Sequence, residues 1–157
     1  MERDFESFHK SVRMVMQESQ RGTLRNIHGP VSRLIRTEDD FTVAIEIALG
    51  GAMQQVVVDA EQDAKAAIRY LKETHQGRVT FMPVSTVKAR EFDSSVAEKM
   101  PGYIAVAKDI VEYDKLYEGI IGSTLGATVV VDNIDNAIAM AAECGHKIRI
   151  VTPEGEV

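Results

Sequence analysis

One order of parts occurs twice in this chain, and an internal repeat constrains a fold more than any single motif. It appears first in Leu49–Pro83, LGGAMQQVVVDAEQDAKAAIRYLKETHQGRVTFMP, and again in Leu125–Val151, LGATVVVDNIDNAIAMAAECGHKIRIV. Each copy begins Leu-Gly, reaches Val-Val-Val-Asp, runs through an Ala-rich amphipathic segment, passes a Gly and ends in a β-branched run. Each therefore reads as strand, helix, strand. A chain with two such units is built from two similar halves, and the other residues surround and join them.

In the first copy, Val56-Val57-Val58 is a short continuous apolar run, the mark of a strand covered on both faces. Asp59 with Gln62 three residues on has capping-box spacing. Ala64, Ala67, Ile68 and Leu71 form the inward face of the next helix. Gly77 closes that helix, Arg78–Met82 reads as the return strand, and Pro83 stops it. In the second copy Val129–Val131 is the strand and Asp132 the cap. Ile134, Ala137, Ile138 and Ala141 form the helix face, Gly145 the C-cap and Lys147–Thr152 the return strand. From Asp to Gly this copy spans 13 positions against 18, so its helix is expected to be about a turn shorter.

Upstream, Phe5, Phe8, Val12 and Val15 form an a/d stripe of about two heptads. It reads either as the end of a coiled coil or as an amphipathic helix lying on a core, with Gly22 as C-cap. Gly29-Pro30 predicts a helix start, with Val31, Leu34 and Ile35 on one face. Phe41, Ala44, Ile45, Ala48 and Leu49 predict a further helix, ended by Gly50-Gly51. Residues 84–102 are polar and aperiodic and read as a linker. Tyr103–Ala107 and Ile110–Val111 read as short strands. Leu116, Ile120, Ile121 and Leu125 suggest a short helix, with Gly119, Gly122 and Gly126 on or near it. Each glycine weakens a helix by roughly 1 kcal/mol relative to Ala, so these need a packing reason, such as close approach of another backbone. Pro153-Glu154-Gly155 is a turn, and Glu156-Val157 reads as the start of a further strand. The resulting division is 1–22 for the incoming stretch, 23–83 for the first half, 84–102 for the linker and 103–157 for the second half.

Several function classes are excluded or disfavoured. No apolar run approaches the ~20 residues of a membrane span, and MERDFESFHK lacks the apolar centre of a secretory signal. Cys144 is the only cysteine, so no internal disulfide forms and an intracellular setting is the default. GIIGSTLGATVVV invites a phosphate-loop reading, but no Gly-Lys pair exists for a P-loop. Its glycines precede the strand, whereas a dinucleotide fingerprint places them after it. His9, His28, His75 and His146 are scattered, without an HExxH or Cys/His cluster. Asp59 and Asp132 stand at strand ends, where α/β enzymes place catalytic groups, yet their equivalence and spacing favour caps. No catalytic residue, cofactor or metal site is expected, which points to interaction or architecture. The net charge of −6 disfavours nucleic-acid binding by the whole surface, but residues 1–36 carry seven Lys/Arg against four Asp/Glu, a net of +3.

Read together, AIEIALGGAMQQVVVDAEQDAKAAIRYLKETHQGRVTFMPVSTV and IIGSTLGATVVVDNIDNAIAMAAECGHKIRIVTPEGEV resemble the hinge domain of a bacterial SMC chromosome condensation and segregation ATPase. The preceding IHGPVSRLI and the heptad segment match how that hinge follows its incoming coiled-coil arm. The resemblance covers about residues 20–157. It implies an α+β or α/β fold of two similar subdomains, with an N-terminal coiled-coil stub. It also implies a two-fold homodimer in which each half meets the opposite half of its partner. That dimer would join two arms whose far ends carry ATPase heads, in a ring-like complex that entraps or tethers DNA. Kleisin and accessory subunits would bind only at the heads, which carry motifs this sequence lacks, so the chain reads as a fragment that does not itself hydrolyse ATP. In the family a glycine-rich stretch and the outgoing arm follow the point reached by Glu156-Val157. Weak DNA binding, preferring single strands, and a cytoplasmic, nucleoid-associated setting with no membrane partner are further implications.

Combining repeat and resemblance, the expected dimer surface is the two return strands, through Arg78, Thr80, Met82, Ile148, Ile150 and Thr152, together with Gly119, Gly122 and Gly126. An unpaired strand edge invites another strand. The expected DNA contacts are Lys10, Arg13, Arg21, Arg25, Arg33 and Arg36, from the positive N-terminal bias. The alternative is a ligand-binding or regulatory α/β domain with a cleft between its halves, marked by converging Asp59 and Asp132.

Overall fold

The computed structural model describes residues 9–90, 92–145 and 148–155. In chain order the elements are α1 (Lys10–Arg21), β1 (Ile27–Pro30), β2 (Ile35–Thr37), α2 (Thr42–Leu49), β3 (Val56–Val58), α3 (Glu61–Glu73), β4 (Phe81–Pro83), α4 (Ser95–Glu98), β5 (Tyr103–Val106), β6 (Val111–Tyr113), α5 (Glu118–Leu125), β7 (Thr128–Val131), α6 (Ile134–Glu143) and β8 (Arg149–Val151). Two compact units result. Of the described residues, one holds 9–34 and 51–87, and the other holds 35–50, 88–90, 92–145 and 148–155. Residues 35–50 thus pack with the second unit, although they precede the first copy of the repeat.

Each unit contains a three-stranded sheet of the same plan, β1-β3-β4 and β5-β7-β8. The first strand of each is antiparallel to the central one, and the return strand is parallel to it. The irregularities are copied as well. The register slips between Ile27 and Gly29 in one sheet and between Tyr103 and Ala105 in the other. A left-handed residue precedes each slip, Asn26 at φ 61° and Gly102 at φ 88°. Their carbonyls accept from the amides of Asp59 (3.1 Å) and Asp132 (2.9 Å) respectively. Asn tolerates this conformation, while at Gly102 a Cβ would collide with Asp132 Oδ1.

The repeat therefore extends upstream of the Leu-Gly pairs. Single 3₁₀ turns at Val31–Arg33 and Ala107–Ile110 follow β1 and β5, and others at Asp39–Phe41 and Lys115–Tyr117 lead into α2 and α5. The equivalent strands β2 and β6 pair with each other, Ile35 opposite Tyr113 and Thr37 opposite Val111.

Each unit has its own core. Val12, Val15 and Leu24 join Val56, Val58, Ala64, Ala67 and Leu71 in the first. Ala97, Val129, Val131, Ala137, Met140 and Ile150 form the second. The three valines of β3 are fully buried, as their unbroken apolar run predicts. Helix α1 contributes Val12 and Val15 to this core and ends at Gly22, in the left-handed conformation at φ 84°. Phe5 and Phe8 of the proposed stripe lie outside the described residues.

Several sequence expectations are corrected. Gly29-Pro30 does not start a helix. Gly29 takes a positive φ of 129° at the irregular register of β1, and Pro30 sits on that edge strand, where its missing N–H is tolerated. The helix caps fall one residue later than Asp59 and Asp132, because both aspartate amides still belong to the sheet. Ala60 and Asn133 are the N-caps. α3 ends at Glu73, before Gly77, with His75 at φ 57° turning the chain. At 13 residues it is longer than α6 at 10, close to the expected difference of a turn. The return strands are shorter than expected, and Pro83 lies within β4. Lys147 and the strand start at Glu156-Val157 fall outside the described residues. The inward faces are Ala64, Ala67 and Leu71 and, in the second copy, Ala137 and Met140. Ile68 and Ile138 lie on the flank, 50% and 62% exposed. The linker is not featureless either, since it contains α4.

Candidate functional site

Among the described residues, the return strand of each sheet is bonded on one side only, to β3 or to β7. In the first unit Val56 N donates to Thr80 O at 3.0 Å and Val84 N to Val58 O at 2.8 Å. Backbone groups alternate along a strand. Residues 80, 82 and 84 therefore face β3, and those of Val79 and Phe81 face away from it. In the second unit Arg149 N donates to Ala127 O at 3.3 Å. Arg149 thus faces β7, and the backbone groups of Ile148 and Ile150 face away.

A groove flanks each edge. Beside β4 it measures about 520 Å³ and is lined by Ile68, Leu71, Lys72, Gly77, Arg78, Val79 and Thr80. Beside β8 it measures about 550 Å³, with Ile134, Ala137, Ile138, Ala141 and Ile148 supplying the apolar wall and Arg90 and Arg149 the charge. Ile68 and Ile138 are each among the most exposed large apolar side chains described. An unpaired edge beside an exposed isoleucine can add a strand and bury apolar surface in one step.

The expected interface residues divide by alternation. Arg78 and Thr80 are exposed and Ile148 half-buried, whereas Met82, Ile150 and Thr152 are buried in their own unit. Gly119 is half-buried, and Gly122 and Gly126 are buried. The backbone that comes close to the last two is the chain's own. A Cβ on Gly122 would collide with Ala89 Cβ and lie 3.1 Å from its Cα, and one on Gly126 would lie 3.4 Å from Arg90 O. Sequence reasoning missed Ile68 and Ile138 as surface groups. Their helical spacing fits the inward face, and only the extra offset from Ala67 and Ala137 places them on its flank.

The basic residues scatter. Lys10, Arg13 and Arg21 lie on α1, Arg25 just beyond it, Arg33 in a 3₁₀ turn and Arg36 on β2 of the other unit. Lys10, Arg21, Arg25, Arg33 and Arg36 are exposed. Arg21 bonds the buried Glu18 at 3.2 Å. The half-buried Arg13 keeps its Nε away from any hydrogen-bond partner.

Both strand-end aspartates have side-chain partners within their own unit. Asp59 pairs with His28 Nε2, and Asp132 accepts from Asn136 Nδ2 at 2.8 Å. Among the described residues no three His, Cys, Asp or Glu side chains converge as metal ligands, and no helix is long and apolar enough to cross a membrane.

Comparison with known proteins places this geometry. The family described as SMC proteins Flexible Hinge Domain matches residues 24–141. The chromosome partition protein Smc of Bacillus subtilis is 39% identical over 160 residues, covering all of this chain and 13% of that protein. Its counterpart in Pyrococcus furiosus is 38% identical over 142 residues, covering 90% of this chain and 11% of that protein. A crystal structure of an asymmetric dimer of the Geobacillus stearothermophilus SMC hinge domain superposes with a TM-score of 0.91 at 38% identity, over 97% of this chain and 62% of that one. The Pyrococcus furiosus SMC hinge domain gives 0.75 at 32% identity, over 99% of this chain and 85% of that one. The sequence thus spans about one eighth of the length of the curated relatives it matches.

Proposed function

This chain belongs to the flexible hinge domain family of SMC proteins, and from that premise we propose that it is a homodimerisation element. Two copies join through their sheet edges and so link two coiled-coil arms of an SMC ATPase that acts in chromosome condensation and segregation. The observation that carries this reading is the pair of one-sided return strands, β4 and β8, each beside an exposed isoleucine. The dimer described for the Geobacillus stearothermophilus hinge supports it. Pairing crosses over: the β4 edge of one copy meets the β8 edge of the other. ATP hydrolysis, kleisin and accessory subunits belong to parts of the longer protein outside this sequence. Sedimentation of the chain over a concentration series is the test. Association to a two-fold species is the expected result, and a monomer at every concentration would refute it.

Weak DNA binding is a second, separate role, supported by the exposed Lys10, Arg25 and Arg36 and the positive N-terminal bias. Charge reversal of Arg21 and Arg25 should weaken binding of a labelled single-stranded oligonucleotide and flatten its salt dependence. An unchanged slope would remove this role.

A further inference from the structure

Helix α1 contacts the β4 edge beyond the strand itself. Thr80 O takes the amide of Val56, the first residue of β3. The next inward-facing carbonyl, that of Arg78, therefore lies past the start of β3. It accepts instead from the Ser11 hydroxyl of α1, at 2.9 Å. Gly77, at φ 97°, lets the chain turn in against α1, where a Cβ would sit 3.3 Å from Ser11 Cβ. The side chains of Val79 and Phe81 rest on the same core cluster as Val12 and Val15 of α1.

This arrangement changes what the edge can offer. Pro83 has no N–H, so β4 alone presents the outward amide of Phe81. The run held by Ser11 adds that of Val79. The geometry points to α1 as a working part of the pairing edge. Ser11 is a positioning residue that sets the length of strand available to a second copy, and a shift of α1 away from Arg78 withdraws Val79 from pairing. Where the arm enters the domain, its position thereby controls how firmly two copies hold. The inference rests on the reading that β4 pairs with another copy.

The test compares Ser11→Ala and Ser11→Val, which lack the hydroxyl, with Ser11→Thr, which keeps it, in the whole 157-residue chain. Sedimentation gives the dimer dissociation constant. NMR order parameters of residues 77–80 in dilute monomer report the clamp directly. The Ala and Val variants are expected to raise the dissociation constant about five- to hundredfold, the effect of one net hydrogen bond at each of the dimer's two β4 edges, and to lower order at 77–80, while Thr does neither. A wild-type dimer whose affinity is unmoved by Ala and Val overturns this inference alone. So does weakened pairing with unchanged order at 77–80. A wild-type chain that never dimerises overturns the dimer reading and this one with it.

Discussion

Arg149 of β8 closes the end of a helix that lies 101 residues earlier, by donating to Ala48 O at 3.2 Å. Its second terminal nitrogen donates to Ile47 O at 3.0 Å. Last-turn carbonyls of a helix lack intrahelical donors, and a cation there also meets the negative end of the helix dipole. This fork is one reason residues 35–50 belong to the second unit. Replacing Arg149 with Met should lower stability by about 1–2 kcal/mol, read as a shifted urea midpoint at constant slope. Arg149→Lys should recover little of the loss, because an ammonium does not reproduce the planar fork. Equal midpoints for all three proteins would show that the contact contributes nothing.

Gly122 is a contact surface for the chain's own linker. Arg90 N donates to Gly122 O at 3.4 Å, and Ala89 lies where a side chain on Gly122 would go. Gly122→Ala gains about 1 kcal/mol of helix propensity but overpacks a site bounded by backbone, at about 1–3 kcal/mol. A net loss of stability is expected, and adding Ala89→Gly should return part of it. A double-mutant cycle in thermal or urea unfolding measures that coupling; additive losses would argue that the two residues do not compete for space.

How much of this was legible in sequence depends on which force fixed each part. The valine runs of β3 and β7 were readable because burial on both faces leaves one composition available. The upstream half of the repeat was not. Ile27 and Tyr103, or Val43 and Gly119, are structurally equivalent but chemically unlike, since only backbone geometry is shared there. Gly122 and Gly126 signalled a close backbone, and that signal was sound. Whose backbone it was could not be read, because the packing of Ala89 is a tertiary fact. The two edges were legible in outline, as return strands. The outward turn of Ile68 and Ile138 was not, because three- and four-residue spacings both satisfy a helical face.

The two copies differ at one capping position, and the difference is usable. Asn133, at φ −152° and ψ 169°, accepts from Asn136 N at 2.9 Å. Its equivalent Ala60 has nearly the same backbone, φ −146° and ψ 170°, but no side chain to accept. Asn133→Ala should cost about 1 kcal/mol, and Ala60→Asn should stabilise by a comparable amount. Differential scanning calorimetry would show the two melting points moving in opposite directions. If Ala60→Asn fails to raise the melting point, the bond that Asp63 N already donates to Ala60 O at 3.0 Å suffices at that terminus.

Tyr113 makes the second unit sensitive to alkali. Burial, then the hydrogen bond its hydroxyl donates to Glu118 at 3.0 Å, raises its phenol from 10.0 to about 12. The folded chain thus holds this proton more tightly than the unfolded one. The associated stability is complete below pH about 10 and is lost as the pH rises toward about 12. Ultraviolet difference titration should show a tyrosine ionising near pH 12 that is absent in Tyr113→Phe. Glu118→Gln should lower its midpoint without returning it to the ordinary value, because burial, the larger cause, remains. A midpoint indifferent to Glu118→Gln would assign the whole shift to burial.

The exposed isoleucines give the sharpest test of how two copies pair. Because Ile68 and Ile138 are half or more exposed in the single chain, Ile68→Glu and Ile138→Glu should each change monomer stability by only about 0.5 kcal/mol. In a dimer each would bury an unpaired carboxylate, so either variant alone should sediment as a monomer at concentrations where the wild type is dimeric. Mixing the two variants then separates the possible arrangements. If β4 of one copy meets β8 of the other, the mixed dimer carries both glutamates in one contact and leaves the second contact intact. It should therefore associate better than either variant by itself. If like edges met like, the Ile68→Glu homodimer would keep an untouched β8 contact, and mixing would damage both contacts and weaken association. Sedimentation of the equimolar mixture beside each component decides between them, and a mixture no tighter than its parts would eliminate the crossed arrangement.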